Sequence, residues 1–255
     1  MNVNKYKINT QDPVAKEHKL CFSPLVKDGV KAGVPIALGY IPIAITFGMI
    51  SQTSGIPNFI TVMMSIIVFA GASQFISVEM MAAGASVVEI IITTFILNFR
   101  HFLMSSSLCS KIKGNTQTRI MNIVAFGITD ETFAVASLQK QSVSQHWLLG
   151  LNFTAHFAWV AGTIVGIYAG NILPEVLRTS MGIALYAMFI ALLIPSLKKA
   201  RKILIVSLLS AVISGLLFFM PLLSFITSGW RIIISTVVAA AIGAKMNESG
   251  EEADV

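Results

Sequence analysis

The residues with the most chemistry to offer sit where the chain is greasiest. Arg100 and His101 stand side by side in "FILNFRHFLM", and Asp130 and Glu131 lie together in "ITDETF". Placing one charged group at the centre of a membrane helix costs about 2.5–3.5 kcal/mol on insertion scales. Such groups therefore turn inward, and the economical arrangement pairs Arg100 with Asp130 or Glu131 through a charge-assisted hydrogen bond. Around them stand further polar residues. Asn98, His101 and Ser105 follow at i, i+3 and i+7 and share one helix face. Asn152 and His156, at i and i+4, form a second stripe, and Gln74 and Thr129 sit in short polar turns. Histidine and carboxylates at mid-depth are the materials of a proton relay. They equally suit a structural ion pair or a hydrogen bond that fixes helix register, and the residues alone leave both readings open.

The elements that must position these groups follow from composition. The 255 residues are 55% hydrophobic and only 12% charged, with a mean hydropathy of +0.78. Apolar runs of about 20 residues, enough to cross a bilayer, recur along the chain. An all-α, polytopic membrane protein is expected. Eight apolar segments stand at roughly 30–51, 56–83, 87–109, 119–138, 147–170, 179–197, 203–223 and 225–245. A polar arm, expected to be loosely ordered, covers 1–29, the transmembrane domain 30–245, and a disordered acidic tail 246–255. The arm lacks the short basic start and apolar stretch of a cleavable signal peptide.

Basic residues gather in the arm and in "KKARK", the pattern of cytoplasmic segments rather than of nucleic-acid binding. Eight plain crossings would leave Lys111, Lys113 and Arg119 outside, against that rule. If 56–83 and 119–138 are broken or re-entrant, every basic loop falls inside. Both topologies are open, with seven or eight helical segments. A weak internal repeat favours the second: "FAGASQF" precedes "LNFRHF" as "FGITDETF" precedes "LNFTAHF". Paired discontinuous segments of this kind mark transporter sites, although Phe, Leu and Ala are common enough here for chance recurrence.

Other features carry less. Pro35 and Pro42 in the first segment interrupt its hydrogen-bond ladder, giving either ligand carbonyls or a plain kink. Gly162, Gly166 and Gly170 allow close helix approach. Glu89 and Glu79 lie near segment ends and are expected at the interface, and Arg231 can snorkel there. Cys21 reads as a free thiol and Cys109 as a small apolar filler at a helix end; neither has metal-ligand spacing. No GxSxG, HExxH or GxxxxGK[ST] pattern occurs, so neither an enzyme nor a nucleotide-driven pump is expected, and no cofactor or metal.

The succession "AGVPIALGYIPIAITFG", "FAGASQF", "ILNFRHFLMSSSL" and "GITDETFAVA" resembles the AzlC family of branched-chain amino-acid permease large subunits, over residues 29 to about 195. The resemblance implies a secondary exporter of leucine, isoleucine, valine and analogues such as azaleucine across the bacterial inner membrane. It implies a small hydrophobic AzlD-type partner and signature positions at Gln74, Asn98, Arg100, His101, Thr129, Asp130 and Glu131. Phe75, Phe99 and Phe133 are the expected wall for a branched side chain. An importer or carrier of another small organic metabolite, or a non-transporting scaffold subunit, are the alternatives.

Overall fold

The computed structural model describes residues 13–113, 117–140, 142–169, 201–220 and 227–251, with isolated positions between 174 and 194. The described elements are all helical: α1 Pro13–Thr53, α2 Asn58–Ile67, α3 Gly71–Ala82, α4 Val87–Cys109, α5 Thr118–Phe126, α6 Asp130–Ser137, α7 Gln145–Ala169, α8 Arg201–Phe219 and α9 Ser228–Glu251. Three of them, Leu25–Thr53 within α1, α4 and α7, are long and apolar enough to cross a membrane. Of the segment expected at 179–197 only isolated positions are described.

Several expectations change at the ends of these helices. α1 starts at Pro13, within the polar arm expected to be loose, and runs unbroken through Pro35 and Pro42. Proline suits a first helical turn, where its missing N–H has no partner to lose. Each internal proline removes one donor but leaves the neighbouring turns intact, so no discontinuity forms there. α9 likewise continues to Glu251, into the acidic tail. α1 and α3 both stop by the same device. Gly55 and Gly84 adopt φ of 78° and 72°, and the Ile56 and Ala85 N–H groups reach back to Ser51 O and Met80 O. This is a Schellman cap, with glycine in the left-handed position it alone takes cheaply.

The chain forms two compact units, one from residues 1–40 and 101–159, the other from 41–100 and 160–255; their boundaries fall inside α1, α4 and α7.

In the first unit, α1 and α7 meet through glycines. A side chain on Gly29 would strike Trp147 O at 2.0 Å, and one on Gly150 would strike Val26 O at 2.1 Å. The expected 119–138 segment is two helices, α5 and α6, bent by 119° at residues 127–129. Their outer ends return to one side of the unit. Gln117 N–H donates to Gln145 Oε1 at 2.9 Å before α5. Lys111 Nζ donates to the Ser137 carbonyl at the end of α6, and Ile112 pairs with Val143. At 1.5 Å per residue each arm is only about 12–14 Å long, and with this bend the ends lie about 13 Å apart.

In the second unit, glycines again set the contact of α1 with α7. Cβ atoms on Gly48 and Gly166 would stand 2.3 and 2.1 Å from Thr163 O and Ile45 O, and one on Gly162 would stand 2.7 Å from Ala44 Cβ. The close approach expected of Gly162 and Gly166 is thus present. The expected 56–83 segment is also two helices, α2 and α3, separated by residues 68–70. Phe69, buried there, takes φ 45°, a left-handed conformation that a bulky residue adopts only when its surroundings impose it.

Candidate functional site

The break between α5 and α6 concentrates buried polar groups. Thr129 is the N-cap of α6, with φ −118° and ψ 174°. Its N–H donates to Thr132 Oγ1 at 2.8 Å, and the Thr132 N–H donates back to Thr129 Oγ1 at 3.4 Å. This reciprocal capping box satisfies donors that a helix start otherwise leaves open. Asp130 and Glu131 therefore occupy the first turn, where the helix dipole favours negative charge.

Tyr40 reaches this turn from α1. Its hydroxyl lies 2.7 Å from Thr129 Oγ1 and donates to Glu131 Oε2. Tyr40 is only 5% exposed and Glu131 is half-buried. A phenol carries one proton, so Tyr40 donates to one of these two partners at a time. When Glu131 is ionised, Tyr40 donates its hydrogen bond to the carboxylate and the Thr129 hydroxyl turns to donate to Tyr40. A protonated Glu131 releases Tyr40 to donate the other way. Thr132, Thr129, Tyr40 and Glu131 thus form a hydroxyl chain whose direction follows the protonation of one carboxyl group. The Trp159 ring, 5.3 Å from Tyr40 and edge-on, closes the far side.

α7 supports the same break from behind. Asn152 Nδ2 donates to Val124 O at 2.9 Å, a carbonyl at the end of α5 that also accepts the Gly127 N–H. Gly127 makes room for it, since a Cβ there would lie 2.6 Å from Asn152 Cβ. Asn152 Oδ1 is buried without a hydrogen bond. His156, one turn on, packs against Phe126 at 5.7 Å. The stripe expected from Asn152 and His156 is real, and it faces the end of α5.

The second unit has its own polar line at the α2–α3 break. Gln74, fully buried, donates through Nε2 to Ser65 Oγ at 3.2 Å, and Ser65 meets Thr163 Oγ1 at 2.8 Å. Ser73 donates to Ala70 O at 2.9 Å, stitching the break itself. In both units the expected polar turn is therefore a helix interruption carrying buried side-chain hydrogen bonds.

On α4, Asn98 and Arg100 are half-buried in the second unit, and His101 and Ser105 are half-buried in the first. The stripe beside Asn98 is bare: Ile91, Phe95, Phe99 and Phe102 are 59, 67, 49 and 66% exposed. Phe99 accordingly leans on Phe95 rather than walling a pocket, and Phe75 packs edge-on against Phe47. Phe133 is half-buried. The reason is physical: in a bilayer, an apolar side chain is as content outside as inside.

Two further corrections concern single residues. Glu89 is 5% exposed rather than interfacial. The Thr227 hydroxyl donates to its Oε1, and Gly229, lacking a Cβ, lets the start of α9 close over it. Cys109 is an exposed free thiol at the end of α4, not a filler. The sequence reading also passed over Tyr40, although it is the only polar-tipped aromatic in "GVPIALGYIPIAITFG".

The family model described as "AzlC protein" matches residues 35–173, a stretch that contains both helix breaks, Tyr40, Asn152 and His156. The chain is 32% identical over 199 residues to the inner membrane protein YgaZ of Escherichia coli K12, covering 75% of this chain and 81% of that one. It is 36% identical over 183 residues to an uncharacterized membrane protein of Archaeoglobus fulgidus, covering 71% and 80%. It is 23% identical over 208 residues to the branched-chain amino acid transport protein AzlC of Bacillus subtilis 168, covering 79% and 81%. No solved structure matches the chain.

Proposed function

Given that the chain belongs to the AzlC family of multi-pass membrane proteins, we propose that it is a proton-coupled secondary exporter of branched-chain amino acids, working with a small hydrophobic subunit. The substrate class follows the name of the Bacillus subtilis relative. The observation that supports a coupled mechanism is the hydroxyl chain ending on Glu131 at a helix break in the first unit. A carboxyl group held there by reversible hydroxyls takes and releases a proton with little rearrangement. Discontinuous helices are where transporters place such groups.

The α5–α6 element enters and leaves the bilayer from one face. Its arms, about 12–14 Å each, fall short of the roughly 30 Å hydrocarbon core. That topology puts Lys111, Lys113 and Arg119 on the cytoplasmic side with the N-terminal arm, as the positive-inside rule asks. The α2–α3 break is its counterpart in an internal repeat. In the second unit, Arg100 takes a substrate carboxylate, with Asn98 and Gln74 lining the route. The bare face of α4, Ile91 to Phe102, meets lipid or the partner subunit.

The test is reconstitution with and without the small subunit, followed by counterflow of labelled leucine. Exchange in the two-subunit liposomes supports the reading; its absence in every combination refutes it. Arg100→Ala and Asp130→Asn should each abolish exchange with protein still in the membrane. Wild-type exchange in either removes that residue from the transport route.

A further inference from the structure

The second unit contains a cavity of about 410 Å³ walled by α3, the end of α8 and the first turn of α9. Most of its wall is apolar, with Ile76, Met80, Phe218 and Ile232 contributing. Two side chains of opposite charge, Glu79 and Arg231, also open onto it. Among the described residues, neither side chain makes a hydrogen bond or ion pair with the other. Arg231 lies 5.1 Å over the Phe218 ring, and its Nε is buried without a hydrogen-bond partner. A guanidinium so placed has given up water on one edge and retains unused donors.

Opposite charges that share a cavity without touching are complementary to a molecule carrying both signs. We propose that this cavity binds a small amphipathic zwitterion, an apolar α-amino acid, with its carboxylate on Arg231 and its ammonium on Glu79. The apolar side chain lies against Ile76, Met80 and Ile232. The volume is in the range of small-molecule sites, about 300–1,000 Å³. Gly215 forms part of the wall, and a Cβ added there would meet no atom within 4 Å, so the cavity is open above it. Ser214, Gly215, Phe218, Arg231 and Ile232 all lie beyond residues 35–173, so this site recruits α8 and α9 to a ligand. The proposal deepens the transport reading and rests on it for the choice of leucine as probe.

Binding of labelled L-leucine to the full chain is measured in discs of phosphatidylglycerol, a lipid without an ammonium group. Isopentylamine and isocaproate, which keep the branched chain but only one charge each, serve as competitors. Wild type should prefer leucine to either by about tenfold or more, the worth of one charged hydrogen bond. Arg231→Gln should make leucine no better than isopentylamine. Glu79→Gln should make it no better than isocaproate. Gly215→Leu should fill the cavity and abolish leucine binding without lowering the melting temperature.

Leucine binding that is absent in wild type, or unchanged in all three variants, overturns the proposal. So does loss of leucine binding when phosphatidylethanolamine is added, since the occupant is then a lipid headgroup. Leucine counterflow in wild type together with variant-insensitive binding defeats the cavity alone. The transport reading falls separately, on the absence of counterflow.

Discussion

Gly166→Ala and Gly39→Ala add the same methyl group to a helix and should move stability in opposite directions. At Gly166 the new Cβ would stand 2.1 Å from Ile45 O and 2.8 Å from Ile45 C and Cα. These are backbone atoms, so no rotamer change relieves the overlap. Ordinary non-bonded contact begins near about 3.5 Å, and α1 and α7 must part locally by more than about 1 Å. Overpacking of that kind costs about 1–3 kcal/mol. The better helix propensity of alanine returns at most about 1 kcal/mol. At Gly39 a Cβ would meet nothing within 4 Å, so only the propensity gain of about 0.5–1 kcal/mol remains. Thermal unfolding in detergent, followed as loss of the monodisperse peak on size-exclusion chromatography, reads both. Gly39→Ala should melt above wild type and Gly166→Ala below it. A Gly166→Ala protein as stable as wild type would refute the glycine-mediated packing of α1 on α7 in the second unit.

Three further outcomes follow from the same geometry. Asn152→Ala removes one of the two donors to the Val124 carbonyl at the end of α5 and should cost about 0.5–1.5 kcal/mol in the same melting assay. Tyr40→Phe removes the proton that can pass between Thr129 and Glu131 through this ring; proton-driven leucine accumulation should fall at least about tenfold while leucine–leucine exchange and melting stay at wild-type levels. In a background without Cys21 and Cys109, Gln117→Cys and Leu138→Cys should label with an impermeant maleimide from the same membrane face. Labelling from opposite faces would make α5–α6 a crossing span.

What the sequence made legible follows from what each residue type costs in a membrane. The polar runs of "FAGASQF" and "GITDETF" were readable as interruptions because their glycines, hydroxyls and carboxylates cannot sit on a lipid-facing helix. Asn152 and His156 were readable as one stripe for the same reason. Glu89 was not, because its place near the start of α4 suggests the interface. The group that buries it, Thr227, lies 138 residues further along the chain. Tyr40 was passed over because its partner is 91 residues away. Phe99 was misplaced because hydropathy cannot distinguish a core-facing ring from a lipid-facing one. The extension of α1 back to Pro13 was missed because charged residues read as a loose arm, although most of "VAKEHKL" favours helix.

The central claim is that Glu131, at the end of the hydroxyl chain, couples proton movement to export. It is tested most directly by concentrative uptake of labelled leucine into inside-out proteoliposomes of the two-subunit complex under an imposed pH gradient, wild type against Glu131→Gln. The glutamine keeps an acceptor for Tyr40 but cannot take up a proton. The account predicts that Glu131→Gln still exchanges leucine for leucine yet no longer concentrates it. Accumulation by Glu131→Gln equal to wild type would contradict it.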